Sequence, residues 1–113
     1  MAMIYKKKPV LGAAMNIGEI NQFKEFLFEA DRDLELQDFI GVDILDDHFD
    51  TAIARAKKAL DGFSGRLGLH GPFKGFSIYS QDPIIVEAVH KRILKCLNAA
   101  EKLGATQMVL HSP

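Results

Sequence analysis

Two histidines stand where a metal site would draw its nitrogen ligands. His70 closes the segment Gly65-Arg66-Leu67-Gly68-Leu69-His70-Gly71-Pro72, and His111 closes Ala105-Thr106-Gln107-Met108-Val109-Leu110-His111-Ser112-Pro113 about forty residues later. Each segment is a short apolar run ending in His, a small residue and Pro. Such a run fits a buried strand, the small residue and Pro break it, and the imidazole is left at the strand's carboxyl end, the edge where α/β proteins build their sites. Neutral imidazole is the commonest protein ligand for zinc and related divalent ions, and two on neighbouring strand ends can share one ion or an ion pair. A catalytic zinc still takes three protein ligands and a bridged pair takes carboxylates as well, so two histidines make only part of a site.

The nearby carboxylates are Glu35, Asp38, Asp43, Asp46 and Asp47. If 34–40 is a strand, alternation puts Glu35, Gln37 and Phe39 on one face and Leu36 and Asp38 on the other. Glu35 or Asp38 is then a polar group for a barrel interior, with solvated or capping roles as the plain alternative. His48 begins a helix beside acidic residues and fits a capping role, and His90, mid-helix beside Lys91-Arg92, carries no functional expectation. The stretch Phe73-Lys74-Gly75-Phe76-Ser77-Ile78-Tyr79-Ser80 is longer than a usual βα connection and holds three aromatics. It either folds over a small polar ligand, with Phe73 and its neighbours excluding water and Lys74 meeting a phosphate or hydroxyl, or packs down through Phe76 and Tyr79.

The elements that must position these groups follow from the pattern. A first strand spans 9–15, and Asn16 with Glu19 spells a capping box for a helix whose stripe is Ile20, Phe23, Phe26, Leu27 and Ala30. A second strand covers 34–40, followed by an acidic loop, 41–47, and a helix from about 48 to 60 with Phe49, Ile53, Ala56 and Leu60 inward. A third strand covers 65–70. Asp82-Pro83 then starts the longest helix, with Val86, Val89, Ile93, Leu97 and Ala100 in its stripe, Leu94, Cys96 and Leu103 widening it, and Gly104 as its stop. The fourth strand carries His111. The order β-α-β-α-β-α-β predicts right-handed crossovers and a parallel sheet whose strand ends share one edge. It leads into either a doubly wound layer or a closed barrel. No G-x-G-x-x-G and no P-loop follows the first strand, so dinucleotide and P-loop chemistry lack support.

At 113 residues, 48% of them hydrophobic, the chain predicts a single domain, 1–113, with one modest core. Fourteen Lys+Arg against fifteen Asp+Glu leave a net charge of -1, so no overall field gathers nucleic acid or an acidic membrane. Lys6-Lys7-Lys8 reads as a solvated run at the first strand's amino end. Cys96 is alone, which rules out an internal disulfide framework and fits a reducing cytoplasm. No apolar leader and no window near the roughly 18 apolar residues of a membrane span is present, so the expectation is a soluble cytoplasmic protein.

Taken together, Leu34-Glu35-Leu36-Gln37-Asp38-Phe39, Gly68-Leu69-His70-Gly71-Pro72-Phe73, Ser80-Gln81-Asp82-Pro83, Ala99-Ala100-Glu101-Lys102-Leu103-Gly104-Ala105 and Met108-Val109-Leu110-His111-Ser112-Pro113 resemble the amino-terminal half of a xylose-isomerase-like TIM barrel. That superfamily holds sugar-phosphate isomerases and epimerases and the endonuclease-four-type apurinic-site nucleases, AP endonuclease family 2. The resemblance covers nearly the whole chain. It implies the parallel β-α-β-α-β-α-β half of a (β/α)8 barrel, with His70 and His111 matching the first metal-binding histidines of the nuclease branch and the other ligands coming from strands five to eight. It also implies a divalent zinc, manganese or magnesium ion in the complete barrel and a small sugar or sugar phosphate as substrate; the strand and loop patterns above make Glu35, Gln37, Phe73 and Lys74 the expected substrate-binding positions. A complete barrel takes about 250 residues, so the expectation is a half inactive alone and holding metal weakly. The nuclease reading requires basic loops that grip phosphates, and among the loops after strands one to four only Lys74 stands there. A third reading is a non-enzymatic half-barrel that pairs through its open sheet edges.

Overall fold

The computed structural model describes residues 9–29, 32–75 and 77–112. The triple-lysine run, Ala30, Phe76 and Pro113 lie outside the described residues. Four strands form the sheet: β1 (Gly12–Met15), β2 (Asp33–Leu36), β3 (Leu67–His70) and β4 (Gln107–Val109). They pair in the order β1-β2-β3-β4, every pair parallel. A parallel neighbour in sequential order needs a crossover each time, and the helices supply it: α1 (Ile17–Ile20), α2 (Lys24–Phe28), α3 (Val42–Asp47), α4 (Phe49–Ala59) and α5 (Pro83–Leu103). The fold is mixed α/β, and its unreversed strand order is compatible with half of a closed barrel.

Among the described residues each of the five helices contributes buried apolar side chains to one cluster with Leu34, Leu36, Leu67 and Leu69. These are the inward positions of a strand alternation, and Leu36 and Leu69 are fully buried. Phe39 meets Phe49 edge-on, with ring centroids 6.3 Å apart. Ala52 and Ala56 of α4 and Cys96, Ala99 and Ala100 of α5 bury small side chains in this cluster. The opposite face is uncovered. There Gly12, Ala14, Asp33, Glu35, Gly68 and Gln107 line an open groove.

Local signals in the chain set several boundaries. The Asn16–Glu19 capping box starts α1, with the Asn16 N–H donating to the Glu19 carboxylate at 3.2 Å. Asp82 caps α5 by accepting from the Ile84 N–H at 2.9 Å, with Pro83 in the first helical position, and Gly104 ends that helix in the left-handed region at φ 73°.

Four expectations are corrected. The first helix is two, because a tight turn at Asn21–Phe23 breaks it, and Phe23 faces solvent instead of the core. The second strand stops at Leu36, and a single turn of 3-10 helix, Asp38–Ile40, follows. Alternation fails there, so Phe39 enters the core instead of sharing a face with Glu35 and Gln37. The acidic loop at 41–47 is the helix α3, which Leu45 anchors. On α5 the buried centre falls on Val89, Cys96, Ala99 and Ala100, while Leu94 and Leu97 stay exposed. The small residues allow the closest approach to the sheet, so the helix turns them inward and leaves both leucines on its flank.

Candidate functional site

The two strand ends meet. His70 is the last residue of β3, which pairs with Val109 of β4, and His111 follows that strand by two residues. The His70 and His111 Nε2 atoms lie 3.3 Å apart, with the rings edge-on and centroids 5.0 Å apart. His70 is half-buried and His111 exposed, so the pair stands at the rim of the sheet with its nitrogens reachable from solvent.

Three contacts hold this geometry. The His70 Nδ1 lies 2.8 Å from the Gly71 carbonyl oxygen. A carbonyl only accepts, so this bond places the proton on Nδ1 and leaves the Nε2 lone pair facing His111. Phe73 lies flat on the His111 ring, centroids 4.3 Å apart and planes 13° from parallel, and touches His70 at 5.1 Å. From below, the Cys96 thiol of α5 reaches the His70 carbonyl at 3.9 Å. Burial pushes that thiol up to about 12, so it is a packing group with no thiolate chemistry near neutral pH.

The spacing of the two nitrogens is that of an N–H···N hydrogen bond and equally that of two ligands on one divalent ion. Two nitrogens each about 2.0–2.1 Å from zinc, at a tetrahedral angle, are about 3.3–3.4 Å apart, which matches the observed separation. Metal-bound histidines usually donate their other ring N–H to a carbonyl or carboxylate, as His70 does to Gly71. Among the described residues no group of three or more His, Cys, Asp or Glu gathers to hold a metal. The chain thus offers two of the positions that a zinc site would fill.

The other sequence candidates divide between two neighbouring regions. Glu35 lies on the open face of β2 and lines its groove, and the Gln37 amide reaches its carboxylate at 3.4 Å. Gln37 and Lys74 line a cleft of about 880 Å³ beside the strand ends, together with Asn16, Asp38, Asp43 and Arg55. The Lys74 backbone N–H bonds the Ile40 carbonyl at 2.9 Å, which ties the loop after β3 to the turn after β2. Phe73 belongs to neither region, because its ring is spent on the two imidazoles. Tyr79 is exposed and does not pack its loop down.

Asp38 takes the capping role. Its Oδ1 accepts from the Ile17 N–H at 2.6 Å, which joins the turn after β2 to the start of α1. Burial raises its carboxyl above the ordinary value, and the Ile17 hydrogen bond and Arg55 oppose the rise. His48 sits between α3 and α4 and is exposed, as a boundary residue would be. His90 is exposed on α5.

Gly71 is the residue that the sequence pattern undervalues. It follows His70 as the small member of the His-small-Pro motif, and its N–H donates to the Val109 carbonyl at 2.6 Å. No helix of the described residues is long and apolar enough to cross a membrane. No family model, curated protein or solved structure matches the chain.

Proposed function

We propose that this chain is the amino-terminal half of a xylose-isomerase-like (β/α)8 barrel and supplies two imidazole ligands to a divalent metal centre acting on a small sugar or sugar phosphate. The observation that carries the proposal is the 3.3 Å separation of the two Nε2 atoms at the carboxyl edge of an all-parallel sheet. Support comes also from the sequential strand order and from the uncovered face, on which Glu35 and Gln107 would become interior polar groups once further strands closed the ring. In such a site a bound divalent ion polarises a carbonyl or hydroxyl of the sugar. His70 and His111 bring their Nε2 atoms within 3.3 Å of each other, Phe73 covers one face of the His111 ring, and Glu35 with Gln37 offers hydrogen bonds to hydroxyls one strand away. Lys74, at the cleft beside the rim, suits a phosphate. The nuclease reading is weaker, because the basic Lys74 and Arg55 share their cleft with Asp38, Asp43 and Asp47.

Calorimetric titration with zinc and with manganese tests the proposal. The expected result is one weak site, with a dissociation constant above about 1 µM because half of the coordination sphere comes from elsewhere, and no binding after His70→Ala or His111→Ala. A single site much tighter than that in the chain alone would refute the half-site, and an unchanged isotherm in both variants would remove the histidines from it.

A second reading concerns partners. Val10 and Leu11 beside β1, and Val109 and Leu110 in and beside β4, are about half exposed at the two edges of the sheet. Uncharged, unpaired parallel edges are free to add strands, so a second copy of the chain is the proposed occupant where no further strands are supplied. Sedimentation equilibrium distinguishes the cases: a monomer at high micromolar concentration rules out self-pairing.

A further inference from the structure

We infer that Gly71 is a positioning residue that sets the distance between His70 and His111; for its role in metal binding this rests on the half-site proposed above. The Gly71 N–H bonds the Val109 carbonyl at 2.6 Å, and the residue is buried against β4. A Cβ at this position would overlap the Leu110 side chain and lie 2.9 Å from the Val109 carbonyl oxygen, closer than carbon and oxygen tolerate. Val109 and Leu110 are the two residues leading into His111, so any displacement here is transmitted directly to the second imidazole. Its backbone conformation is ordinary, so the requirement is for space and not for a left-handed turn.

The same motif carries Ser112 after His111, where the side chain is exposed. A hydroxymethyl group is accommodated there and a methyl group is not accommodated at Gly71. The two copies of the motif therefore differ in function: the first must let the next strand close in, and the second need not. This explains why the pair reaches 3.3 Å, a separation that bridges one small cation. Moving β4 outward by even a fraction of an ångström would lengthen the gap beyond the bite of a tetrahedral ion.

The experiment compares Gly71→Ala with Gly12→Ala. Gly12 is also crowded, with a Cβ falling 2.8 Å from the Asp33 carbonyl oxygen, but it lies at the opposite end of the strands. Two quantities are measured on the purified chain: the nuclear Overhauser effect between the His70 and His111 ring protons, and zinc affinity. Gly71→Ala is expected to abolish or strongly weaken the ring-to-ring effect and to reduce zinc affinity at least tenfold. Gly12→Ala is expected to lower the melting temperature while leaving both unchanged. Adding Leu110→Ala to Gly71→Ala removes one of the two colliding groups and is expected to restore part of the ring-to-ring signal. An intact ring-to-ring effect in Gly71→Ala, or its loss in both glycine variants alike, overturns the inference. If the wild-type chain shows the effect but takes no zinc, the metal reading fails while the spacing role of Gly71 stands on the ring contact alone.

Discussion

The two faces of the sheet obey different rules. On the helix side, Leu34, Leu36, Leu67 and Leu69 alternate into a cluster in which the largest side chains are excluded from water. On the open side, the intervening positions of β1 to β3 are Gly12, Ala14, Asp33, Glu35 and Gly68, which are small or polar, the row ends at His70, and β4 adds Gln107 and Val109. The strand period of two lets one short segment serve both: every second residue of Leu67-Gly68-Leu69-His70 is buried in the core and every other one faces the open side. The core and the groove are thereby separated by one residue in sequence and by the thickness of the sheet in space.

Substitutions on the two sides should separate accordingly. Leu69→Ala deletes a fully buried side chain and is expected to cost about 2–5 kcal/mol in urea denaturation; a cost under about 1 kcal/mol would mean that the helix-side cluster is not the core. Asp82→Ala removes the cap that anchors α5 over that cluster, for an expected loss of about 1 kcal/mol. His70→Ala, on the other side, should shift stability by no more than about 0.5 kcal/mol while removing metal binding. A large destabilisation there would make His70 a structural residue and would erase the contrast between the faces.

Two aspartates sharpen the same contrast through pH. Asp38, in the turn after β2 where it caps the start of α1, has its carboxyl raised by burial, so the native state holds that proton more tightly than the unfolded chain. Its contribution favours folding at low pH and declines as pH rises through the window above the ordinary value of 3.8. Asp33, on the open side, has its carboxyl lowered by hydrogen bonds from the Arg66 guanidinium, which grips both carboxylate oxygens at 2.6–3.2 Å. Its contribution is present above the ordinary carboxylate value and is lost as pH falls through the folded value. In acid titrations followed by circular dichroism, Asp38→Asn should remove a component that weakens with rising pH, and Asp33→Asn one that strengthens with it. Slopes of the same sign in both variants would contradict these assignments.

Much of this arrangement was legible in the residues. The duplicated His-small-Pro ends located the rim, and the Asp82-Pro83 start and Gly104 stop of α5 were written in local chemistry. The alternation that placed Glu35 on the open face held as far as Leu36 and failed at Phe39, because a turn there reorients the chain and no local residue announces it. The helix at 42–47 was hidden by its acidic composition, since Leu45 alone supplies its fully buried anchor. On α5 the sequence shows a broad apolar surface, and only the tertiary approach of Cys96, Ala99 and Ala100 decides which part of it faces inward. The role of Gly71 depends on a neighbour almost forty residues away, a relation that periodicity cannot express.

The single cysteine gives this fold an internal gauge of its own breathing. Cys96 is sealed between α5 and the sheet, and its sulfur touches the carbonyl of the residue that carries the rim imidazole. A thiol reagent can reach it only when that helix lifts. The labelling rate under native conditions therefore reports the free energy of local opening directly beneath His70, with no residue replaced.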